Sequence, residues 1–311
     1  MRRILPLLLC LFLLCSLAAC GEEPASDAVP MPTDGGEEAQ IQLDPDDPLS
    51  NYLDLTQLDA QTAAGATQEL NLTSENGGCQ VVLQKAVGDA MTLHLSLEMT
   101  YAADVDLSEP TVFNQPYQEE GYSPRDIGTA LILGTVTDPA QAAQQASDAG
   151  ISSQGTQTGD RTWHVLITFS YREAVLTPGQ DVTLLYEDRP TGTSHLFHWT
   201  VETQAPIRQA ELTDQEGKVA GTGVFSPFAA YLTIQDNAIA TSMEPDLLLE
   251  QMVFLDESGA PVDGFQGTGV GGSAAPMLFE ADAFVPVSPD QLSTVRLGEH
   301  TLDIVWTGQE A

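Results

Sequence analysis

The sequence predicts an all-β protein built from two consecutive antiparallel β-sandwiches. Two long stretches, residues 91–101 and 163–171, alternate apolar and polar side chains with a period of two, which is typical of half-buried strands. Shorter apolar runs elsewhere are separated by turn-forming glycines and prolines, and little of the chain has a helical period. Many short strands joined by turns favour antiparallel sandwiches over folds with helical layers.

The first residues predict a lipoprotein signal. Two arginines precede an apolar run at residues 4–14, which leads into Leu17, Ala18, Ala19 and Cys20. In bacterial lipoproteins this order directs a signal peptidase to cut before the cysteine, whose thiol carries a diacylglycerol. We therefore predict peptidase recognition at Leu17, Ala18 and Ala19, lipidation at Cys20, and attachment to the outer face of the cytoplasmic membrane.

Two alternatives for this segment are a transmembrane helix and a plain secretory signal. A membrane span needs roughly 20 apolar residues. Residues 5–19 provide only 15, with Pro6 and Ser16 among them, and the segment that follows is acidic. The length and the flanks therefore favour the lipoprotein signal over a retained helix.

The composition changes along the chain and predicts four regions. Residues 21–50 hold nine acidic residues, no basic ones and five prolines. Such a stretch cannot bury enough apolar surface to fold, and its like charges keep it extended. Residues 51–68 fit either a short helix or more linker, and Pro206 interrupts the chain near residues 203–207. The predicted regions are a signal peptide (1–19), a lipidated cysteine with an acidic Pro-rich tether (20–66), a first β-sandwich (67–204) and a second β-sandwich (205–311).

The elements of both sandwiches follow from apolar runs and turn signals. Asp138 and Pro139 open an alanine- and glutamine-rich run, which predicts a short surface helix capped by Asp138. The second sandwich has about 105 residues, near the usual size of an immunoglobulin-like domain. The predicted strands cover residues 80–87, 91–101, 131–136, 163–171, 182–186, 196–201, 211–213, 219–225, 228–234, 248–255, 277–284, 294–297 and 301–306.

The charge of the chain is strongly acidic. It carries 45 acidic and 10 basic residues, and loss of the two signal-peptide arginines changes the net charge from −35 to −37. This balance argues against nucleic acid and anionic membrane surfaces as partners, because both need a basic face. Solubility is the ordinary consequence of such a charge, and cation binding is the alternative.

Cysteine usage predicts a fold without an intrachain disulfide. Cys10 and Cys15 lie in the signal peptide, and Cys20 is the predicted lipidation site. Cys79 is then alone in the mature chain. Since it starts a strand-like run, we predict a buried, unreactive thiol.

One motif matches a nucleotide-binding pattern, whereas the usual motifs of a catalytic nucleophile are absent from the sequence. Residues 267–272 match GxGxxG, but a dinucleotide site needs a helix N-terminus after the glycines, and a strand pattern follows here. We predict a flexible hairpin loop instead. The sequence contains no GxSxG elbow and no Ser-x-x-Lys motif. We therefore predict no catalytic residues, no cofactor and no enzymatic activity.

Several histidines and aspartates are candidate metal ligands. His195 and His198 are three residues apart, which places them on opposite faces of a strand. His94, His164 and His198 are predicted to be solvated on the polar faces of their strands, since no spacing typical of a metal site is present. Four aspartates lack the ligand order of a calcium loop and are predicted to be solvated. They are Asp44, Asp46, Asp47 and Asp54. We predict no metal site.

The region from about residue 75 to 311 contains a series of strand-and-turn motifs: GCQVVL (78–83), Gly88 with Asp89 and the long strand after them, TWHV (162–165), FHWTV (197–201), FSPF (225–228), VFLDESG (253–259) and VRLGEHTL (295–302). In these motifs the region resembles the extracytoplasmic region of membrane-bound anti-sigma-factor-like proteins of Gram-positive bacteria. The resemblance implies the fold of their outer β-domains, and a Gram-positive envelope. Members of that family typically carry a sigma-factor-binding segment before their membrane helix, whereas only residues 1–4 precede the apolar run here. We therefore expect only the outer domains to correspond.

Taken together, these features predict a cell-surface lipoprotein that acts as a non-enzymatic binding or accessory module of the bacterial envelope. The expected partners are the membrane, through the lipid, and an envelope protein or polymer. One alternative is a sensor ectodomain that works with a separate membrane signalling protein. A second alternative is an envelope hydrolase, which the missing catalytic motifs disfavour.

Overall fold

The structure is a computed structural model that describes residues 48–107, 128–242, 252–272, 274–283 and 285–308. These residues form sixteen strands, all paired antiparallel, and six short helical segments. The predicted all-β fold class is therefore confirmed. The signal peptide, Cys20 and the part of the predicted tether before residue 48 lie outside the described residues.

A helical segment (residues 48–66) precedes the first strand. Aspartates begin two of its turns: the Asp54 side chain accepts a hydrogen bond from the Thr56 amide, and Asp59 accepts from the amides of Gln61 and Thr62. Such side-chain caps satisfy amides that have no partner within a helix. The segment consists of η1 (Pro48–Asn51), η2 (Leu55–Gln57) and α1 (Ala60–Ala66).

The helical segment packs on the protein, which differs from the tether predicted through residue 66. Leu49, Leu53 and Leu58 are all buried, although they stand in a polar stretch. Burying a leucine contributes roughly 1.5–3 kcal/mol, enough to hold such a short segment in place. The segment lies on the outer face of the first sheet, where it meets Val87 and Leu166.

The first β-unit contains eight strands in two sheets. The five-stranded sheet has the order β1-β2-β3-β6-β5, and the three-stranded sheet has the order β4-β7-β8. Apolar side chains of both sheets form one buried core between them. The strands are β1 (Thr67–Asn76), β2 (Cys79–Gly88), β3 (Thr92–Tyr101), β4 (Ala130–Leu133), β5 (Gly150–Gly159), β6 (Thr162–Ser170), β7 (Asp181–Asp188) and β8 (Thr193–Thr200).

Most predicted elements of this unit are confirmed, including the helix α2 (Pro139–Gln144). The Asp138 side chain caps that helix by accepting from the Ala140 amide at 2.9 Å. Strand β5 was not predicted, because its serines, glutamines and threonines give no apolar alternation. The strand forms because β6 provides it with a hydrogen-bonding partner, which the sequence of β5 does not indicate.

The second β-unit contains the other eight strands in one sheet, with the order β12-β15-β16-β9-β10-β11-β14-β13. This sheet rolls over its own core, so that the two edge strands approach each other. Phe254 and Phe265, one from each edge, have ring centroids 4.8 Å apart. The strands are β9 (Arg208–Thr213), β10 (Val219–Phe225), β11 (Ala229–Ile234), β12 (Met252–Leu255), β13 (Phe265–Gly271), β14 (Met277–Ala283), β15 (Thr294–Leu297) and β16 (His300–Trp306). Short helices α3 (Asn237–Ser242) and η3 (Pro289–Gln291) connect them.

The glycine-rich motif at residues 267–272 belongs largely to a strand, so the predicted flexible loop is wrong. Its first five residues lie in β13, which pairs with β14. Glycine gives a strand no side chain to pack, which is why the motif did not predict one. At Gly269 a Cβ atom would lie 2.8 Å from an oxygen of Glu280, so the glycine leaves room for that side chain.

The described residues belong to one compact unit, and the two β-units meet at a buried junction. The amide of Ala205, in the connecting segment, donates to the carbonyl of Gly88 at 2.8 Å. Phe228, in the turn between β10 and β11, is buried in one cluster with the leucines of the helical segment. The helical segment, the first unit and Phe228 of the second unit therefore share one buried cluster.

Candidate functional site

A groove lies between the two β-units and is the candidate functional site. Its volume is about 570 Å³. This falls within the range of roughly 300–1,000 Å³ that is typical of ligand sites, which often form where domains meet. We call this feature the groove. Its lining residues are Asp148, Ala149, Gly150, Ser170, Tyr171, Arg172, Glu173, Val175, Tyr231 and Glu280.

The two walls of the groove come from different sheets. One wall is formed by the start of β5 and by the residues around the end of β6. The other wall is formed by Tyr231 on β11 and Glu280 on β14, which are paired directly across the two strands. Residues that face each other in such a pair have neighbouring side chains, so the sheet register places a phenol beside a carboxylate.

Charged and phenolic side chains cross the groove. The Nε atom of Arg172 donates to Oε1 of Glu280 at 2.5 Å and so joins the two units. Arg172 is 69% exposed, so this ion pair adds little to stability. Ser170 on the opposite wall lies close enough to the Tyr231 hydroxyl to lower its pKa slightly.

The electrostatics of the groove keep its phenols protonated. Burial raises the pKa of Tyr231, and the carboxylates of Asp282 and Glu280 raise it further. Burial also raises the pKa of Tyr171, whose hydroxyl lies 2.8 Å from Oγ of Ser147. The groove therefore offers phenol and guanidinium donors beside carboxylate acceptors, which suits recognition of a polar ligand.

A second cluster, the buried polar network, lies at the other end of the first β-unit. The hydroxyl of Tyr101 donates to Oδ1 of Asp188 at 2.6 Å. Oδ2 of Asp188 accepts from the amide and the hydroxyl of Thr191, at 3.0 and 2.5 Å. The Thr191 and Thr193 hydroxyl oxygens are 2.7 Å apart, and Nε2 of His195 lies 3.5 Å from the Thr193 hydroxyl.

The buried polar network contains a serine–histidine pair that the sequence did not predict. Nδ1 of His195 lies 3.0 Å from the Ser74 hydroxyl, the contact expected of a nucleophile and its base. However, His195 and Asp188 are 0% and 1% exposed, so a substrate cannot reach them. Burial lowers the pKa of His195. The network therefore fastens the β1–β2 and β7–β8 turns together and is not an active site.

Cys79 lies beside this network and is buried, as predicted. Burial, together with the nearby charge of Asp188, raises the pKa of the Cys79 thiol to about 12. The thiolate is the reactive form of cysteine, so this thiol is unreactive at neutral pH.

Of His94, His164 and His198, the three histidines predicted to be solvated, only His198 is exposed. His198 is exposed and His195 is buried, which confirms that they lie on opposite faces of β8. The prediction is wrong for His94 and His164, which are 8% and 5% exposed. The helical segment and Phe228 cover the sheet face that carries them. His164 is held there by Glu98, whose Oε2 lies 2.8 Å from its Nε2.

The candidate metal ligands are not gathered into a site in the described part of the chain. Asp44, Asp46 and Asp47 lie outside it, and Asp54 caps η2. Within the described ranges, no group of three or more histidine, cysteine, aspartate or glutamate side chains is arranged to hold a metal ion. Four acids do surround a surface hollow of about 550 Å³ near residues 256–263, and one of them, Asp290, pairs with Arg208.

The predicted lipoprotein residues Leu17, Ala18, Ala19 and Cys20 lie outside the described residues. Among the helices that the structure does describe, none has the length and apolar character needed to cross a bilayer. Neither the groove nor the buried polar network has a signal in the sequence, because both combine residues that are far apart in the chain.

Comparison with known proteins adds little to this picture. No protein-family model matches the chain, and no curated protein matches its sequence. The chain is similar to a solved structure described as the conserved domain protein from Bacillus anthracis, with a TM-score of 0.45 and 13% sequence identity over 74% of this chain and 75% of that chain. At this identity and TM-score, the similarity says nothing about a site.

Proposed function

We propose that the protein is a non-enzymatic binding or accessory module of the bacterial envelope, anchored through a lipid on Cys20, and that it contacts its partner at the groove. The observation that carries this proposal is the groove itself, which has the volume of a ligand site and walls from both β-units. The partner is an envelope protein or polymer that presents polar groups to the phenols, carboxylates and guanidinium of the groove.

Binding fits the groove better than catalysis does. The residues that line it in the described structure include neither histidine nor cysteine. Arg172 is already paired with Glu280, and the raised pKa of Tyr231 keeps its phenol protonated at neutral pH. A catalytic site needs a nucleophile or base with a matched pKa, whereas recognition needs only donors and acceptors that are held in place.

The proposal is tested by retention of native envelope components. The lipid-anchored protein is captured from native membranes and separately incubated with isolated cell-wall material, and the retained components are identified. We expect one reproducible component, and we expect Arg172→Ala to reduce its retention severalfold because this change removes the guanidinium from the groove. The matched control is Arg296→Ala, which removes an exposed arginine from β15, outside the groove.

Each result decides one part of the proposal. If the unaltered protein retains nothing reproducible from either source, it is not a binding module. If a component is retained equally by the Arg172→Ala variant, the module binds through a surface other than the groove. If Arg296→Ala weakens retention as much as Arg172→Ala does, the effect is one of overall charge.

A sensor ectodomain is the second candidate, and one observation favours it. The helical segment forms the last part of the predicted tether region and shares a buried cluster with residues of both β-units, so a change in how the units meet has a physical route to the chain that leads to the membrane. Deletion of the gene should then alter an extracytoplasmic stress response. An unchanged response in the deletion strain would rule out this role.

A further inference from the structure

The junction between the β-units contains two buried titratable groups, Asp89 and His94. Asp89 lies in the turn between β2 and β3, and His94 lies on the outer face of β3. Ser226 and Phe228, from the turn between β10 and β11 of the second unit, pack against them. We call these four residues the junction cluster.

The Asp89 carboxylate is completely buried but only half satisfied. Its Oδ1 accepts hydrogen bonds from the amides of Met91 and Thr92, at 2.6 and 2.9 Å. Its Oδ2 has no hydrogen-bond partner among the described residues. Ser226 lies close enough to lower the pKa of the carboxyl, although its hydroxyl is directed at the Ala229 carbonyl, 3.4 Å away. Burial outweighs these contacts and raises the pKa of Asp89 to about 6.

His94 is a buried base in the same junction, and its imidazole is also only half satisfied. Its Nδ1 lies 2.9 Å from the Thr168 hydroxyl, while its Nε2 has no partner among the described residues. The Phe228 ring packs edge-on against the imidazole, with ring centroids 5.4 Å apart. Burial lowers the pKa of His94 to about 4, so the ring is neutral over most of the acidic range.

Other titratable groups lie around this cluster in the described structure. His164, paired with Glu98, lies on the same covered sheet face as His94. Tyr231 on β11 feels the charge of Asp89 and is a phenol that stays protonated below neutral pH. From the connecting segment, the Gln204 side-chain amide reaches the Asp89 carbonyl at 3.4 Å. Asp54 and Asp59 of the helical segment accept hydrogen bonds from their own turns at the surface.

We propose that Asp89 and His94 form an opposed pair that keeps the junction between the two β-units equally stable across the acidic range. Each is buried with one polar atom unpaired, so each resists becoming charged. Acidification neutralises the Asp89 carboxylate, which removes a buried charge and stabilises the junction. The same acidification pushes the imidazole towards its charged form and strains the junction. Both effects act on the junction between the two β-units, so they offset each other.

The signs follow from proton linkage. The pKa of Asp89 is raised in the folded protein, so its contribution to stability is complete below about pH 4 and is lost as the pH rises towards 6. The pKa of His94 is lowered, so its contribution is complete above about pH 6.5 and is lost as the pH falls towards 4. Between pH 4 and pH 6, each group alone would change the opening equilibrium by about tenfold per pH unit, in opposite directions.

The test measures opening of the junction in the full chain. Hydrogen exchange is followed at the amides of Ala205 and Ala229, which are hydrogen-bonded at the junction, and is corrected for the intrinsic pH dependence of exchange. We expect constant protection between pH 4 and pH 6 in the unaltered protein. Asp89→Asn leaves His94 unopposed, so protection should fall by about tenfold per pH unit on acidification. His94→Asn leaves Asp89 unopposed, so protection should rise by the same factor.

Matched controls remove exposed groups of the same types. Asp160→Asn and His198→Gln act on exposed side chains of the first β-unit and should leave the pH profile flat. Equal pH slopes in the two junction variants, or flat profiles in both, would overturn the proposal. Should a variant fail to fold, NMR titration of the unaltered protein decides the matter. An Asp89 carboxyl that titrates below pH 4.5, or a His94 ring that titrates near pH 6.5, would refute the opposed pair.

Discussion

At the scale of single residues, the polar side chains inside this protein hold its strand ends together. The buried polar network joins residues from β1, β3, β7 and β8 through Asp188. Burying a carboxylate is costly unless donors surround it, and at Asp188 a phenol, a hydroxyl and an amide do so. A sequence with 45 acidic residues gives no indication of which ones are inside. The strand pairing decides that.

Loss of one donor to Asp188 should therefore destabilise the protein. Tyr101→Phe removes the hydroxyl that donates to Oδ1 and leaves a buried acceptor unpaired, which costs about 1–3 kcal/mol. Urea unfolding followed by tryptophan fluorescence measures the loss. Thr73→Val, at an exposed position on β1, is the control and should change stability by less than about 0.5 kcal/mol. A Tyr101→Phe variant as stable as that control would mean that the network does not fasten the strand ends.

At the scale of elements, the helical segment changes the environment of the whole first sheet. It covers the face that carries His94 and His164, and so turns a face predicted to be polar and solvated into a second buried layer. The hydroxyl of Tyr52 contacts the hydroxyl of Thr156 on β5, so the segment reaches the edge of the sheet. A segment with only three buried leucines was compatible with a linker on composition alone, because burial depends on the surface it meets.

The packing of this segment predicts the effect of shortening one leucine. Leu53→Ala should cost about 2–5 kcal/mol, since it removes buried methyl groups and leaves a cavity against the sheet. Faster hydrogen exchange in residues 48–66 and on the outer face of the five-stranded sheet is the accompanying sign. Gln61→Ala, at an exposed position of α1, should have almost no effect. Equal stability of the two variants would show that the segment is not docked in solution.

At the scale of the whole molecule, we propose that a lipid on Cys20 holds the two β-units near the membrane. The strongly acidic stretch between Cys20 and the helical segment then acts as a spacer. The two β-units share a junction and a groove, so the helical segment, the connecting segment and all three sheets form one body that carries the candidate binding surface.

The anchor predicts where a cysteine variant is found in the cell. Cys20→Ser should release a folded, acidic protein into the medium or leave an uncleaved precursor, because the thiol that receives the lipid is gone. Fractionation with immunoblotting distinguishes these forms from the anchored protein. Cys15→Ser is the matched control, since its cysteine leaves with the signal, and it should stay anchored. Fully processed Cys20→Ser protein in the membrane fraction would contradict the lipoprotein hypothesis.

The sequence by itself determined the all-β class and most strand positions, because apolar side chains must alternate wherever a strand has one buried face. The long alternations that became β3 and β6, and the Asp138 cap of α2, are local signals of this kind. Strands β1, β5 and β13 escaped prediction because they are rich in polar residues or glycine. They are held by pairing with β2, β6 and β14, not by their own propensity.

Only the tertiary structure decided which polar residues are buried and where a ligand could bind. Asp89 and His94 lie in ordinary strand-and-turn sequence, and their burial results from contact with a second β-unit more than 130 residues later in the chain. The groove likewise needs Arg172 and Glu280 side by side, although they are 108 residues apart. Local patterns fix which face of a strand is apolar, but the docking of units and segments fixes what covers the other face, and that depends on long-range packing.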